Sequence, residues 1–113
     1  MSVDNVTGNL VGEVFVVSCS GYLNMETGDD ISTLCTVQLD NGITKILINL
    51  ENTRMVNSIG VSILIEIIER LQDVNGQLGF CNLVPIVEKT FKIMGLTQYS
   101  TTFASEAEGV EAL

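Results

Sequence analysis

The run at residues 43–50 limits the possible folds more than any other segment of the sequence. It consists mostly of branched apolar residues, and turn-forming or polar residues lie on both sides of it. A run of this length and composition is typical of a strand that is buried on both faces, as in a parallel sheet. Because parallel strands need long crossover connections, we expect helices before and after this strand.

The remaining segments alternate in the same way. Further strands are predicted at residues 11–17, 21–23, 77–83 and 98–103. Helices are predicted at residues 26–39, 58–74 and 85–94, with a short last helix after Ser105. The order β-β-α-β-α-β-α-β-α indicates an α/β fold, with a mostly parallel sheet of four to five strands packed with about four helices.

Residues that favour helix ends support these boundaries. Asn24 offers a side-chain acceptor where the first helix begins. Gly76 is predicted as the left-handed cap of the second helix, and Gly95 is predicted to end the third. Ser105, followed three residues later by Glu108, has the pattern of a capping box. These signals divide the chain at the points where the apolar periodicity changes.

Length and composition predict one soluble domain. The 113 residues fit a single domain over 1–113, and 46% of them are hydrophobic, enough to build a core. No apolar run approaches the roughly 20 residues that span a bilayer, so membrane insertion is not expected. The first residues lack the basic start of a secretory signal. We therefore expect a cytoplasmic protein.

The charge of the chain argues against nucleic acid as a partner. The net charge is −9, with only five basic residues. Binding to nucleic acid depends largely on neutralising phosphates with Lys and Arg, and anionic membrane surfaces attract basic segments in the same way. An acidic chain without a basic patch is a poor candidate for either.

Histidine and cysteine usage limits the possible chemistry. The chain has no histidine, which rules out Ser–His and Cys–His catalytic units. Its three cysteines, Cys19, Cys35 and Cys81, are widely spaced, so we expect at least two of them to be buried thiols rather than parts of disulfides or of a metal site. Neither a dinucleotide fingerprint nor a P-loop is present, and no cofactor is predicted. The protein is predicted not to be an enzyme, although a small α/β enzyme or nucleotide-binding domain stays an alternative.

The helix predicted at 58–74 carries two apolar stripes. One stripe, expected to pack on the sheet, contains Val61, Leu64, Ile65, Ile68 and Leu71. A second stripe on the opposite side contains Ile59, Ile63 and Ile67. Two apolar faces indicate either burial between helices or a surface that is kept for a partner. We expect Ile67 to be buried, and of the three Ile59 is the best candidate for exposure.

Ser58, at the start of this helix, has two interpretations. Its hydroxyl can be an N-cap, which contributes roughly 1 kcal/mol to stability. Alternatively, it can accept a phosphate, which the free amides and the positive dipole of a helix N-terminus tolerate. The added charge beside Ile59 would then repel a docked partner without unfolding the domain. The residues alone leave both interpretations open.

The chain resembles STAS domains of the anti-sigma factor antagonist type over nearly its whole length. The resemblance rests on short segments that follow the family order. Residues 21–24 are similar to a Gly-x-Leu-Asp turn, residues 46–50 to the central strand, and residues 57–60 to the Asp-Ser-Ser-Gly phosphorylation motif. The other matching positions are 76–78, 94–96, Phe103 and 106–107. Each segment is short, and their order and spacing together are specific.

The resemblance implies a partner-switching regulator. In that family the unphosphorylated antagonist binds an anti-sigma factor that is also a serine kinase. Phosphorylation of the motif serine ends the interaction, and a serine phosphatase restores it. The match places Ser58 at the phosphoacceptor position, and it implies a partner-binding surface formed by Asn24, Asn57, Ser58, Ile59 and Gly60.

Three residues differ from the family pattern. Asn57 stands where aspartate is usual, Asn24 replaces an acidic residue, and Ile59 replaces the second serine. The alternative interpretation is therefore a STAS scaffold or adaptor subunit, in a signalling assembly or beside a transporter, whose serine is not phosphorylated.

Overall fold

The computed structural model describes the backbone of residues 2–3 and all of residues 5–113. Strands and helices alternate after an N-terminal hairpin region. The strands are β1 Ser2–Val3, β2 Val6–Val11, β3 Val14–Leu23, β4 Lys45–Val56, β5 Gln77–Cys81 and β6 Thr101–Phe103. The helices are α1 Met25–Asp40, α2 Ser58–Gln72, α3 Pro85–Ile93 and α4 Glu106–Ala112, with a 3-10 turn at Leu96–Gln98.

The described strands form one sheet in the order β1-β2-β3-β4-β5-β6. β1 pairs with β2 and β2 with β3 in antiparallel fashion, and β3, β4, β5 and β6 are parallel. The predicted α/β fold with a mostly parallel sheet and four helices is confirmed. The two-residue β1 and the hairpin strand β2 extend the sheet beyond the predicted four to five strands.

Strand β4 is buried on both faces, as the run at residues 43–50 predicts. Ile46 and Ile48 belong to the main core, which the sheet shares with α1, α2 and α3. Leu47 points to the opposite face and packs with a smaller cluster that includes Val16 and Val110 of α4. Two layers of helices therefore enclose the middle of the sheet, which is the arrangement that a parallel strand of this composition requires.

The N-terminal hairpin differs from the prediction. Residues 11–17 were expected to form one strand, with a break at 18–20 before a second strand. Instead a turn at Gly12, which has a positive φ of 62°, separates β2 from β3. β3 then runs without a break from Val14 to Leu23. The polar and small residues of β2 hide its periodicity, because most of its side chains are exposed and it gains its structure by pairing with β3.

Strand β4 is longer than predicted. Residues 51–57 have the composition of a loop, yet β4 continues to Val56 because its end pairs with the end of β3. The register shifts between Ser18 and Ser20 and again between Gly21 and Tyr22. Beside the first shift, the buried Thr53 donates its hydroxyl to the Cys19 carbonyl oxygen at 2.8 Å. Residues that look polar in the sequence are thus held in the sheet by long-range pairing.

Several predicted boundaries also change. α2 ends at Gln72, and Asn75, not Gly76, has the left-handed conformation with φ 57°. Gly76 is needed for another reason, since a Cβ there would lie 2.6 Å from the Thr44 carbonyl oxygen. β5 ends at Cys81, and β6 begins only at Thr101, after the 3-10 turn.

Other local predictions are confirmed. Gly95 follows α3 with φ 83°. Ser105 caps α4 by accepting a hydrogen bond from the Glu108 amide at 3.2 Å. None of the helices in the described part of the chain has the length and apolar composition needed to cross a bilayer.

The three cysteines are free and buried, as predicted. Burial raises the pKa of Cys35 to about 12, and the positive charge of Arg70 offsets part of the increase. Burial also raises the pKa of Cys81 to about 12, with smaller contributions from the carboxylates of Glu106 and Glu51. Both thiols are therefore neutral and packed in the folded state.

These thiols predict a loss of stability at alkaline pH. In the unfolded chain they ionise near the ordinary value of 9.0, below their folded pKa of about 12. Between these values the unfolded state binds fewer protons than the folded state, so the free energy of unfolding falls as pH rises. Between about pH 8 and pH 10.5, we expect urea denaturation to show a fall larger by up to about 4 kcal/mol, about 2 for each thiol, than in the Cys35→Ala/Cys81→Ala variant. Equal pH dependence in the two proteins would contradict this assignment.

Candidate partner-docking site at the start of α2

The candidate site lies where the parallel strands β3 and β4 end together. Leu23 and Val56, the last residues of these strands, are aligned in the sheet. The Asn57 amide then donates to the Leu23 carbonyl oxygen at 3.0 Å, which joins the two chain segments beyond the strands. Helices α1 and α2 therefore begin side by side at one edge of the sheet.

Asn57, not Ser58, is the N-cap of α2. Its side-chain oxygen accepts a hydrogen bond from the Gly60 amide at 2.9 Å, and its backbone oxygen accepts from the Val61 amide at 3.1 Å. The interpretation of Ser58 as a cap is therefore wrong. The N-cap is the residue immediately before the first helical residue, and its side chain accepts a hydrogen bond from an amide in the first turn. In α2 this residue is Asn57.

Ser58 is the first residue of α2, and it is exposed. Among the described residues its hydroxyl takes part in no hydrogen bond. Its carbonyl oxygen accepts from the Ser62 hydroxyl at 2.9 Å, so Ser62 is engaged within the helix while the Ser58 hydroxyl is not. The first amides of a helix lack intrahelical partners, and the Ser58 hydroxyl lies among them at the positive end of the helix dipole.

Gly60 brings the start of α2 against the turn between β3 and α1. A Cβ at this position would lie 2.6 Å from the Leu23 carbonyl oxygen and 3.1 Å from the Asn24 amide nitrogen. Both neighbours are backbone atoms, so they have little freedom to move away. Gly60, expected from the resemblance to line the surface, is buried, and its structural role is to allow this close approach.

Asn24 is the N-cap of α1, as predicted. Its side-chain oxygen accepts from the Thr27 amide at 3.1 Å, and its own amide donates to the Thr27 hydroxyl oxygen at 3.0 Å. The sequence analysis did not identify Thr27 as the second half of this capping box. The arrangement fixes the turn against which Gly60 packs, because Asn24 belongs to both contacts.

Exposed apolar side chains lie on the elements that come together where α2 begins. Ile59 is 51% exposed, as predicted, while Ile63 and Ile67 of the same stripe are buried. Met55 of β4 is 58% exposed, and Tyr22 of β3, which is aligned with it, is also exposed. The strand ends and the first turn of α2 therefore present exposed apolar side chains at this edge of the sheet.

Two further residues at this edge were missed in the sequence. Met25, in the first turn of α1, is 58% exposed, and Ile86, in the first turn of α3, is 61% exposed. Met55 lies in residues 51–57, which have the composition of a loop. No periodicity marks these residues, because each belongs to a different element and they meet only at the carboxyl ends of the strands.

A shallow hollow of about 200 Å³ continues this surface towards α3. It is lined by Arg54, Met55, Val56, Ile86, Val87 and Thr90. Arg54 is exposed at its rim. The surface thus combines apolar side chains with one cation and a free hydroxyl, which suits contact with another protein.

Comparison with known proteins identifies the family. The family model of the STAS domain matches residues 6–109. The chain belongs to the STAS domain family. BtrV of Bordetella bronchiseptica, provisionally named an anti-sigma factor antagonist, is 23% identical to this STAS domain over 95 residues, which are 84% of this chain and 78% of BtrV.

Solved structures share the fold of this STAS domain. An anti-sigma factor antagonist of Thermotoga maritima, also provisionally named, has a TM-score of 0.86 at 17% identity, covering 95% of this chain and 92% of its own. The phosphorylated form of the Bacillus cell fate determinant SpoIIAA has a TM-score of 0.76 at 24% identity, covering 95% of this chain and 97% of its own. The unphosphorylated form of SpoIIAA, an anti-sigma factor antagonist, has the same TM-score, 0.76. The chain therefore has the fold of the anti-sigma factor antagonists.

The close approach at Gly60 predicts a specific loss of stability. Gly60→Ala is expected to lower the free energy of unfolding by about 1–3 kcal/mol, because the backbone of Leu23 and Asn24 cannot yield. Gly28→Ala is the matched control: its Cβ would meet the flexible tip of Ile63, Cδ1, at 2.8 Å. Urea denaturation should show a clearly smaller cost for Gly28→Ala. A neutral Gly60→Ala variant, or an equal cost at Gly28, would contradict the assignment.

The capping geometry makes a second prediction. Asn57→Ala should lower the free energy of unfolding by about 1 kcal/mol, because the Gly60 amide loses its acceptor. Asn57→Asp should match or exceed the wild type by a few tenths of a kcal/mol, since a carboxylate keeps the cap and favours the helix dipole. Ser58→Ala is the control, and thermal denaturation should show almost no change. A loss at Ser58 as large as at Asn57 would make the serine a cap after all.

Proposed function

We propose that this STAS domain is an anti-sigma factor antagonist that works as a partner-switching regulator in the cytoplasm. In its unphosphorylated form it binds an anti-sigma factor serine kinase through the surface around Ser58. Phosphorylation of Ser58 releases the partner, and a serine phosphatase restores the binding form. The protein is a binding regulator and not an enzyme, consistent with the lack of histidine and of nucleotide-binding motifs.

The observation that carries this proposal is the free hydroxyl of Ser58. It is exposed, it bonds to none of the described residues, and Asn57 supplies the cap instead. A kinase can therefore modify it without breaking a contact that holds the helix. The phosphate would face the first amides of α2 and the positive end of the dipole, which favour a negative group.

The surroundings of Ser58 explain how a phosphate would act on a partner. Ile59 and Met55 are both more than half exposed beside it, so a docked partner would cover them and exclude water. A phosphate carries about two negative charges at neutral pH, and covering it would require removing its hydration. The complex would therefore dissociate while the fold stays intact.

The partner-binding residues divide by role. Ser58 and Ile59 are exposed and would contact the partner directly. Asn24 and Asn57 are half-buried caps, and they would present their remaining polar atoms at the edge of the contact. Gly60 would contribute to partner binding indirectly, because it allows the start of α2 to lie against Leu23 and Asn24.

Phosphorylation by a co-encoded serine kinase tests the proposal. With ATP, the kinase should add one phosphate to the protein, and mass spectrometry should locate it on Ser58. Ser58→Ala should abolish the modification, while Ser62→Ala, on the same helix four residues later, should be modified like the wild type. A phosphate that maps elsewhere, or no phosphate with any co-encoded kinase, would favour the scaffold or adaptor alternative.

Binding to the same kinase tests the mechanism. Ser58→Asp should weaken binding by about tenfold or more while the melting temperature changes by only a few degrees, because an acidic residue suits the first turn of a helix. Gln77→Glu adds the same charge at the opposite edge of the sheet and should bind within about twofold of the wild type. If Ser58→Asp binds as tightly as the wild type, charge at Ser58 does not control the interaction.

A further inference from the structure

A second apolar groove lies on α2, away from Ser58. It has a volume of about 440 Å³, within the range of ligand sites. One wall is formed by residues of α2 at helical spacing, namely Ile65, Ile68, Glu69 and Gln72. The other wall is formed by the segment after α3, with Met94, Gly95, Leu96, Gln98 and Tyr99. Tyr99 is 64% exposed, and Met94 is also exposed, so the groove is open to an occupant.

Carboxylates follow the groove along the outer side of α2. Glu66, Glu69 and Asp73 are all exposed, and their spacing of three and four residues places them on one side of the helix. The ion pairs within the described part of the chain are Lys45–Glu13 and Lys92–Glu88, so these three carboxylates have no cationic partner there. The groove is thus an apolar channel with a negative edge.

The basic residue nearest in sequence does not neutralise this edge. Arg70 is turned towards α1, where its guanidinium donates to the hydroxyl oxygens of Thr36 and Ser32. No lysine or arginine lines the groove. An occupant would therefore meet uncompensated negative charge beside apolar side chains.

We propose that this groove binds a basic amphipathic helix of a partner protein. The spacing of the groove residues on α2 suits a helix that lies alongside it and inserts its own apolar residues at i, i+3, i+4 and i+7. Lysine or arginine on the flank of that helix would pair with Glu66, Glu69 and Asp73. A second copy of this chain is a poor occupant, because the net charge of −9 would bring like charges together.

The groove is separate from the Ser58 surface. Ser58 and Glu69 are eleven residues apart on α2, which corresponds to about 16 Å along the helix axis. This is beyond the Debye length of about 8 Å at physiological salt. Charge at Ser58 is therefore largely screened from the groove, and the inference does not rest on the proposed function.

Titration with a synthetic peptide tests the groove. The probe is an amphipathic helix about four turns long, with leucines at i, i+3, i+4 and i+7 and lysines on the flanks. We expect saturable binding that weakens with added salt, and amide chemical-shift changes concentrated at residues 65–72 and 94–99. A peptide of the same composition in scrambled order should bind about tenfold or more weakly.

Matched variants show whether the groove itself is the site. Glu69→Lys should weaken peptide binding by about fivefold or more, while Glu111→Lys, an exposed glutamate on α4 with the same change of charge, should cost less than about twofold. Met94→Gln should also weaken binding, and Val37→Gln on the exposed side of α1 should not. Ser58→Asp should change the affinity by less than about threefold, since its charge is screened.

Several results would overturn the inference. These are the absence of saturable binding, shift changes at residues 22–25 and 55–60 instead, and equal losses in Glu69→Lys and Glu111→Lys. Equal binding of the scrambled peptide would show that net charge alone attracts it. Self-association that Glu69→Lys changes, measured by sedimentation, would identify a second copy as the occupant.

Discussion

The contact between the start of α2 and the turn before α1 determines the geometry of the candidate site. At Gly60 two backbone segments approach so closely that a side chain has no room, and Leu23 and Asn24 lie directly opposite. The hydrogen bond from the Asn57 amide to Leu23 closes the same junction. Because the ends of β3 and β4 and the starts of both helices meet here, a shift of any one of them would displace the others. The exposed residues keep their positions relative to each other because this junction is rigid.

The sequence predicts much of the fold because its strongest signals are local. The apolar run at 43–50 and the caps at Asn24 and Ser105 depend on residues that are close together in the chain. The missed features depend on distant pairing. β2 and the second half of β4 have polar or small residues, and they form strands because they pair with the two sides of β3. The residue composition of these two segments does not indicate this pairing.

The candidate site shows the same division. The exposure of Ile59 follows from its place in the first turn of an amphipathic helix, and it was predicted correctly. The interpretation of Ser58 as a cap places the cap one residue too late, because both Asn57 and Ser58 have side chains that can cap a helix, and only the backbone geometry distinguishes them. Met25, Met55 and Ile86 belong to three different elements, so their meeting at one edge is a property of the topology.

The separation of the cap from the neighbouring hydroxyl has an evolutionary consequence. Asn57 caps the helix and the exposed Ser58 hydroxyl makes no hydrogen bond within the described residues, so we expect position 58 to change without crossing a stability threshold. If Ser58 is the phosphoacceptor that we propose, its replacement by alanine would leave a permanently docked protein whose fold is unaltered. Single substitutions at position 58 can therefore convert a protein controlled by phosphorylation into one that stays bound, or the reverse. Selection on the core residues is separate from this change.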